Sequence, residues 1–371
     1  MKRLLYYTGW LSSGGAERQL IYTALAAEKK GYEVKIAIDN PVIHYEDMLK
    51  GSGIEILVAC PRSITHRTLK RVAALSRIMK SYRPDVVHTF LRQSNLWGML
   101  LAKLHGVPLK IASIRNTDET AFERVRLYQG WADRIICNTR LAAEMARTRY
   151  GIPEEKLSVI YNAIDLGRFR DAKPIPGFRE SLGLPESTRL GVTVARIAEK
   201  KNHIGLVRAL KILEGQGLLE NVHFLLVGKP GGRGTLEAVM EEVQRTGLKQ
   251  KVTVLGGRED IPEILKSCDF MVLPSFHEGF PNVVLEAMAA GLFVVAAPAG
   301  GTPELLENRK TGVLAGGFAP EHLAAGIQEY LGMEESEKET VRLAALESVK
   351  RFDLEKACEP VLKIYENGIY V

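Results

Sequence analysis

Cysteine is scarce: the 371-residue chain has four, Cys60, Cys137, Cys268 and Cys358, widely spaced and without a Cys-x-x-Cys pair. That excludes a disulfide framework and a cysteine-based zinc site, and predicts the reduced thiols of a cytoplasmic protein. Long apolar runs are also lacking. The longest uncharged run, Ala287 to Pro303, contains three glycines and two prolines. It falls short of the roughly 20 apolar residues needed to span a bilayer. The start, Met1-Lys2-Arg3 followed by Leu4 to Leu11, has no small-residue cleavage site and reads as a buried first strand. There is no Asp-x-Asp, no His-Glu-x-x-His and no Gly-x-Gly-x-x-Gly, so neither a bound metal nor a dinucleotide cofactor is expected.

What is present is ordinary for a globular protein: 46% hydrophobic residues, 25% charged residues and a mean hydropathy of −0.04. The length fits two domains. A formal charge of +6 conceals an uneven distribution. Between Ile56 and Thr117 a single acidic residue, Asp85, faces eleven basic ones, so that segment carries +10 and the remainder −4. One basic district on a near-neutral body argues against a nucleic-acid coat and for a local anionic partner.

Short apolar runs alternate with helical patterns, which predicts α/β domains with parallel sheets covered on both faces. First-half strands are expected at 3–8, 33–38, 54–58, 85–89, 109–113, 134–137 and 158–161, and second-half strands at 189–195, 223–227, 252–255, 270–273, 293–296 and 312–314. Residues 1–170 form the first expected domain, 171–185 a linker and 186–353 the second domain. A last helix from about 354 to 371 is expected to pack back on the first. Two doubly wound sheets of this kind direct their carboxyl ends to a shared ligand cleft.

The richest stretch is Ser275 to Glu286, just after an expected strand. Pro281 suits a helix's first turn, so Glu278 falls in the loop before it and Glu286 inside it. Amides of Phe280, Asn282 and Val283 would face an anion at the helix N-terminus, beside Gly279. Carboxylates on either side suit sugar hydroxyls. Arg196 and Lys201, after the first strand of the second domain, would supply charge to a diphosphate. Gly14 and Gly15, between the first strand and helix, let a phosphate or acceptor approach the backbone. The Gly228 to Gly234 segment lacks the rest of a P-loop and is taken as a loop near the nucleotide.

Together these landmarks resemble the retaining glycosyltransferases of family 4, which have the GT-B fold of two Rossmann-like domains. The resemblance rests on Glu278 and Glu286 with seven residues between them, Ala287 through Glu304, Gly14-Gly15-Ala16-Glu17-Arg18, Asp85 to His88, Ser113 to Asn116, Val159 to Asp165, and Arg196 with Lys201. It implies transfer of a sugar from a nucleotide-diphosphate sugar, UDP favoured and GDP possible, with retention and without metal. It assigns Glu278 to donor-sugar hydroxyls, Glu286 to the ribose, and Arg196 and Lys201 to the leaving diphosphate. A catalytic role for His88 stands beside a packed, hydrogen-bonded one, because Phe90 occupies the place of a second histidine common in relatives. Arg115 and Asn116 would touch donor sugar or acceptor.

The basic pattern Arg67 to Arg83 has Leu69, Val72, Ala73, Met79 and Tyr82 on an apolar side and Arg67, Lys70, Arg71, Arg77 and Lys80 elsewhere. It suggests peripheral contact with the anionic inner face of the cytoplasmic membrane, where a lipid-linked or polysaccharide acceptor of envelope glycan synthesis would be met. A core-packed helix with a solvated basic face is the plainer reading. A soluble acceptor, a non-catalytic sugar-nucleotide-binding protein and a sugar-nucleotide epimerase are the rival functions.

Overall fold

The computed structural model describes residues 1–59 and 67–368, without the Arg67 side chain; Cys60, and Arg62 of the basic district between Ile56 and Thr117, lie outside these. The chain forms two compact units, residues 1–163 with the segment from Phe352, and Ile164–Arg351.

In the first unit, β1 (Arg3–Thr8), β2 (Glu33–Ile38), β3 (Glu55–Val58), β4 (Val86–Phe90), β5 (Leu109–Ile114), β6 (Arg134–Cys137) and β7 (Leu157–Val159) make one sheet. All pairings are parallel, in the order β3-β2-β1-β4-β5-β6-β7. Strands buried on both faces need apolar residues at successive positions. Leu4 and Tyr6 pack with Leu20 and Ile21 of helix Gly15–Lys29 and with Val361 and Ile364 of helix Leu354–Asn367. Leu5 and Tyr7 pack on the other face with Leu75 and Met79 of helix Arg67–Tyr82 and Met99 of helix Arg92–Leu104.

The helix Arg67–Tyr82 is held by only part of the apolar side its sequence suggested, with Val72 packed against the core beside Met79 and Tyr82. Leu75, Met79 and Tyr82 are buried, whereas Leu69 is 69% exposed and Ala73 is exposed. Arg71 is also not on the open side: its Nε is 3.1 Å from the buried Asp39 carboxylate. Burial raises the Asp39 pKa to about 6, with Tyr7 O–H and then Arg71 acting against it.

The second unit repeats the plan with β8 (Arg189–Val194), β9 (Val222–Val227), β10 (Val252–Gly256), β11 (Phe270–Leu273), β12 (Phe293–Ala296) and β13 (Val313–Leu314). Their order is β10-β9-β8-β11-β12-β13, again parallel. Phe224 and Phe270 meet edge-on at 5.4 Å in its core. The segment expected as a bare linker is built into this unit. Phe178 is buried, Ile175 N–H donates to Ser267 Oγ at 2.8 Å, and Arg179 pairs with Asp269 at 2.7 Å; residues 164–170, expected in the first domain, also belong here, with Phe169 buried. A phenylalanine and an arginine with a nearby carboxylate outweigh the local signal of prolines and glycines.

Candidate functional site

In the second unit the strand order reverses at β8, which neighbours β9 on one side and β11 on the other. Open α/β sheets bind ligands beyond the carboxyl ends of strands at such a reversal. Arg196 follows β8, Gly228 follows β9 and Glu278 follows β11, so the chain delivers all three to that end. Arg196 is exposed. Lys201 closes a short 3-10 turn, and its Nζ stands 2.5 Å from Glu278 Oε1.

Asn202, singled out by no sequence signal, holds this arrangement. It adopts a left-handed φ of 54° and accepts from Gly205 N–H at 3.1 Å. Its Nδ2 donates to the carbonyls of Pro274 and Phe318, each at 3.1 Å. Phe276 N–H donates to Lys200 O at 2.9 Å, which joins the loop before Glu278 to the turn bearing Lys201. The adjacent His203 ring is buried, and burial, then Lys201, pushes its pKa down to about 4.

Two glycines are required by close approach. A Cβ on Gly300, at φ +53°, would lie 1.9 Å from Glu278 O, and Gly301 N–H donates to Gly279 O at 2.7 Å. A Cβ on Gly228 would lie 1.9 Å from Ala195 O. The Gly228 to Gly231 stretch is laced to Ile197 by hydrogen bonds in both directions. The helix Asn282–Ala290 begins one residue later than expected, with Pro281 as its N-cap and Val284 N–H bonded to Pro281 O. Phe280 is buried, Gly279, Asn282 and Val283 are half-buried, and Glu286 is 6% exposed within the helix.

In the first unit, Gly14 is the N-cap of helix Gly15–Lys29, and the chain's own Glu17 carboxylate lies over it. Ser12 Oγ donates to Glu17 Oε1 at 3.0 Å and holds that carboxylate against the Gly14 backbone. His88 sits inside the unit, not at an open strand end, with 1% exposure. Its Nδ1 is 2.6 Å from the Tyr365 hydroxyl and its Nε2 is 2.8 Å from Ser113 Oγ. Burial, then Arg115, holds its pKa well below the usual imidazole range. Both ring nitrogens therefore serve a buried neutral network that reaches Tyr6 through Tyr365. Tyr365 was invisible as a partner because 277 residues separate it from His88. Asn116 turns to Asp118, donating at 2.6 Å, while Arg115 packs over Phe90 with its guanidinium 4.9 Å from the ring centre.

Residues 13–168 match the model for Glycosyltransferase Family 4, and residues 175–345 that for Glycosyl transferases group 1. The chain is 29% identical to a UDP-Gal:alpha-D-GlcNAc-diphosphoundecaprenol alpha-1,3-galactosyltransferase of Escherichia coli, over 67% of this chain and 66% of that protein. It is 28% identical to a D-inositol 3-phosphate glycosyltransferase of Actinosynnema mirum over 95% and 92% of the two chains. Among solved structures, Anabaena HepE in complex with UDP and glucose superposes with a TM-score of 0.86 at 22% identity, covering 99% of this chain and all of that one. The lipopolysaccharide glycosyltransferase WaaG gives 0.74 at 18% identity over 98% and 100%.

Proposed function

Because this chain belongs to the glycosyltransferases of group 1 and family 4 and has their GT-B fold, we propose that it transfers a sugar, with retention, from a nucleotide-diphosphate sugar to a hydroxyl of a lipid-linked or polysaccharide acceptor. The observation that carries the donor half is the convergence of Arg196, the Lys201–Glu278 pair and the Gly228 loop at the reversal point of the second sheet. Cations there would stabilise the departing diphosphate, the largest charge developed in the reaction. Glu278 would accept hydrogen bonds from sugar hydroxyls, and Glu286 from the ribose. UDP is favoured as the nucleotide because the E. coli relative uses UDP-Gal and HepE binds UDP.

In the proposed step the C1–phosphate bond breaks as the acceptor oxygen attacks C1 on the same face. The acceptor proton passes to a phosphate oxygen of the leaving group, and nucleoside diphosphate departs. Incubation with a panel of UDP- and GDP-sugars, followed by product analysis, tests this reading. No transfer and no donor hydrolysis would favour a binding protein; free epimerised sugar without acceptor would favour an epimerase.

For the acceptor half, the diphosphoundecaprenol relative supports a lipid-linked substrate. Lys70, Arg77 and Lys80 are exposed on the helix Arg67–Tyr82, which has no acidic residue. Such residues attract an anionic leaflet. No described helix is long and apolar enough to cross a membrane. A soluble phosphorylated acceptor is the second reading, favoured by the inositol phosphate relatives that align over almost the whole chain. Assay with extracted lipid acceptor against a water-soluble one separates the two.

A further inference from the structure

The partly buried cations of this protein are mostly matched by carboxylates: Arg71 by Asp39, Lys110 by Asp133, Arg179 by Asp269, Lys201 by Glu278 and Lys338 by Glu335. Arg134 meets a backbone carbonyl, Glu155 O, instead, and Arg115, at the carboxyl end of β5, has no carboxylate partner either. One of its terminal nitrogens is 3.4 Å from Asn162 Oδ1, and its Nε is buried without an acceptor. The titratable groups that act on it are Tyr365, Cys358, Cys137 and Tyr6, none of them charged near neutral pH. Burial accordingly lowers its pKa to about 10. A half-buried guanidinium without a counter-charge is a costly arrangement, and such groups in a pocket mark a site that a ligand completes.

The pocket is present. Arg115 lines a small, partly open pocket with Gln19, Thr23, His88, Ser113 and Tyr161, and no acidic residue contributes to it. Its walls are fixed. The Gln19 amide exchanges two hydrogen bonds with the Ala163 backbone, at 2.8 and 2.7 Å, and His88 is clamped between Tyr365 and Ser113. The closed end is only of water size, so a larger anion would meet the half-exposed guanidinium at the mouth. A phosphate there can offer two oxygens to the planar fork and keep the others in water.

We infer that Arg115 receives a phosphate or diphosphate group carried by the sugar acceptor. The acceptor assignment rests on the proposed transferase function, whereas the anion site rests on the first unit alone. The donor diphosphate has its own cations in the second unit, Arg196 and Lys201.

Calorimetry with inorganic pyrophosphate on the full chain, with UDP present in excess, tests the site without any sugar transfer. Wild type and R196Q are expected to bind equally, R115Q at least about tenfold more weakly, and R115K in between, since losing a charge-assisted bidentate contact costs at least that factor. Equal affinity of wild type and R115Q overturns the proposal. So does binding that R196Q or UDP abolishes, which would put the anion in the donor site, and so does no millimolar binding to wild type. If near-ultraviolet circular dichroism shows R115Q unfolded, R115K decides alone, and unchanged affinity overturns the site. Steady-state kinetics then separates the two readings. R115Q should raise KM for a phosphorylated acceptor and leave that for its dephosphorylated analogue unchanged; equal effects on both overturn the acceptor assignment. Absence of transfer with every acceptor would count against the transferase reading and leave the pyrophosphate result standing.

Discussion

Lys201 and Glu278 pair at 2.5 Å across the two loops that follow β8 and β11, with side chains only 18% and 11% exposed. Removing one partner strands the other charge in a poorly solvated place, whereas removing both does not. Lys201→Met and Glu278→Gln should each lower stability, and the double variant should be more stable than the sum of the two losses. A double-mutant cycle by urea unfolding is expected to give a coupling of at least about 1 kcal/mol. Additive losses would mean that the two charges are solvated separately. On the proposed mechanism, Lys201→Met also lowers kcat by about 100-fold or more, as removal of one preorganised charge-stabilising group does.

Gly300→Ala should damage the Glu278 loop directly. The new Cβ meets Glu278 O at 1.9 Å on a backbone of φ +53°. Left-handed strain of about 1–2 kcal/mol adds to overpacking of about 1–3 kcal/mol. Gly291→Ala is the control: φ is +79°, but the nearest atom is 3.7 Å away on Leu346, so only the backbone term applies. Thermal unfolding should rank Gly300→Ala clearly below Gly291→Ala, and a reversed order would refute the steric account.

Parallel strands were easy to place in the sequence because burial on both faces demands apolar runs such as Leu4 to Tyr7 or Phe270 to Leu273, and turn residues bound them. Glu278, Arg196 and Lys201 could be assigned to one sheet end because each follows such a run. Contacts that depend on distant segments could not. Nothing local to His88 announces Tyr365, and nothing near Arg71 announces Asp39. Helix periodicity also failed at Leu69: its spacing fits an apolar stripe, yet Leu75, Met79 and Tyr82 alone of the apolar residues there are fully buried.

Acid should weaken the fold through its buried histidines. His88 and His203 have folded pKa values below 6.5, so the unfolded chain takes up protons first as the pH falls through that value. Stability present at pH 7 is then lost, for His203 down to about pH 4, at up to about 1.4 kcal/mol per pH unit and group. Asp39 opposes this: raised to about 6 from 3.8, its folded carboxyl takes up a proton first, giving stability below 3.8 that is lost as the pH rises through 6. Urea unfolding between pH 7 and pH 5 should show stability falling with acid, more gently in His203→Gln and more steeply in Asp39→Asn. Identical slopes in all three would remove these groups from the account.

Reversing charge on the helix Arg67–Tyr82 tests membrane contact. Lys70→Glu, Arg77→Glu and Lys80→Glu are chosen because these residues are exposed, and Arg71 is spared because it holds Asp39. Each basic residue near an anionic surface contributes about 1 kcal/mol, so the triple change should abolish flotation with anionic liposomes at low salt. Circular dichroism should be unchanged. Failure of the unaltered protein to float would reject the membrane hypothesis outright.

Glu286 provides the most direct test of the donor site. It is 6% exposed in the helix Asn282–Ala290, deep enough that any hydrogen bond it makes to a ligand is formed away from bulk water. Loss of a hydrogen bond to a charged group costs about 1.5–3 kcal/mol, so Glu286→Ala should weaken nucleoside diphosphate binding by about tenfold or more. Glu286→Gln keeps the shape and one acceptor oxygen and should lie between. If the carboxylate meets the ribose, the same variants should lose affinity for uridine as well as for UDP, because both carry the ribose hydroxyls. A loss confined to UDP would instead place Glu286 near the phosphates, and calorimetry with the two ligands distinguishes these outcomes.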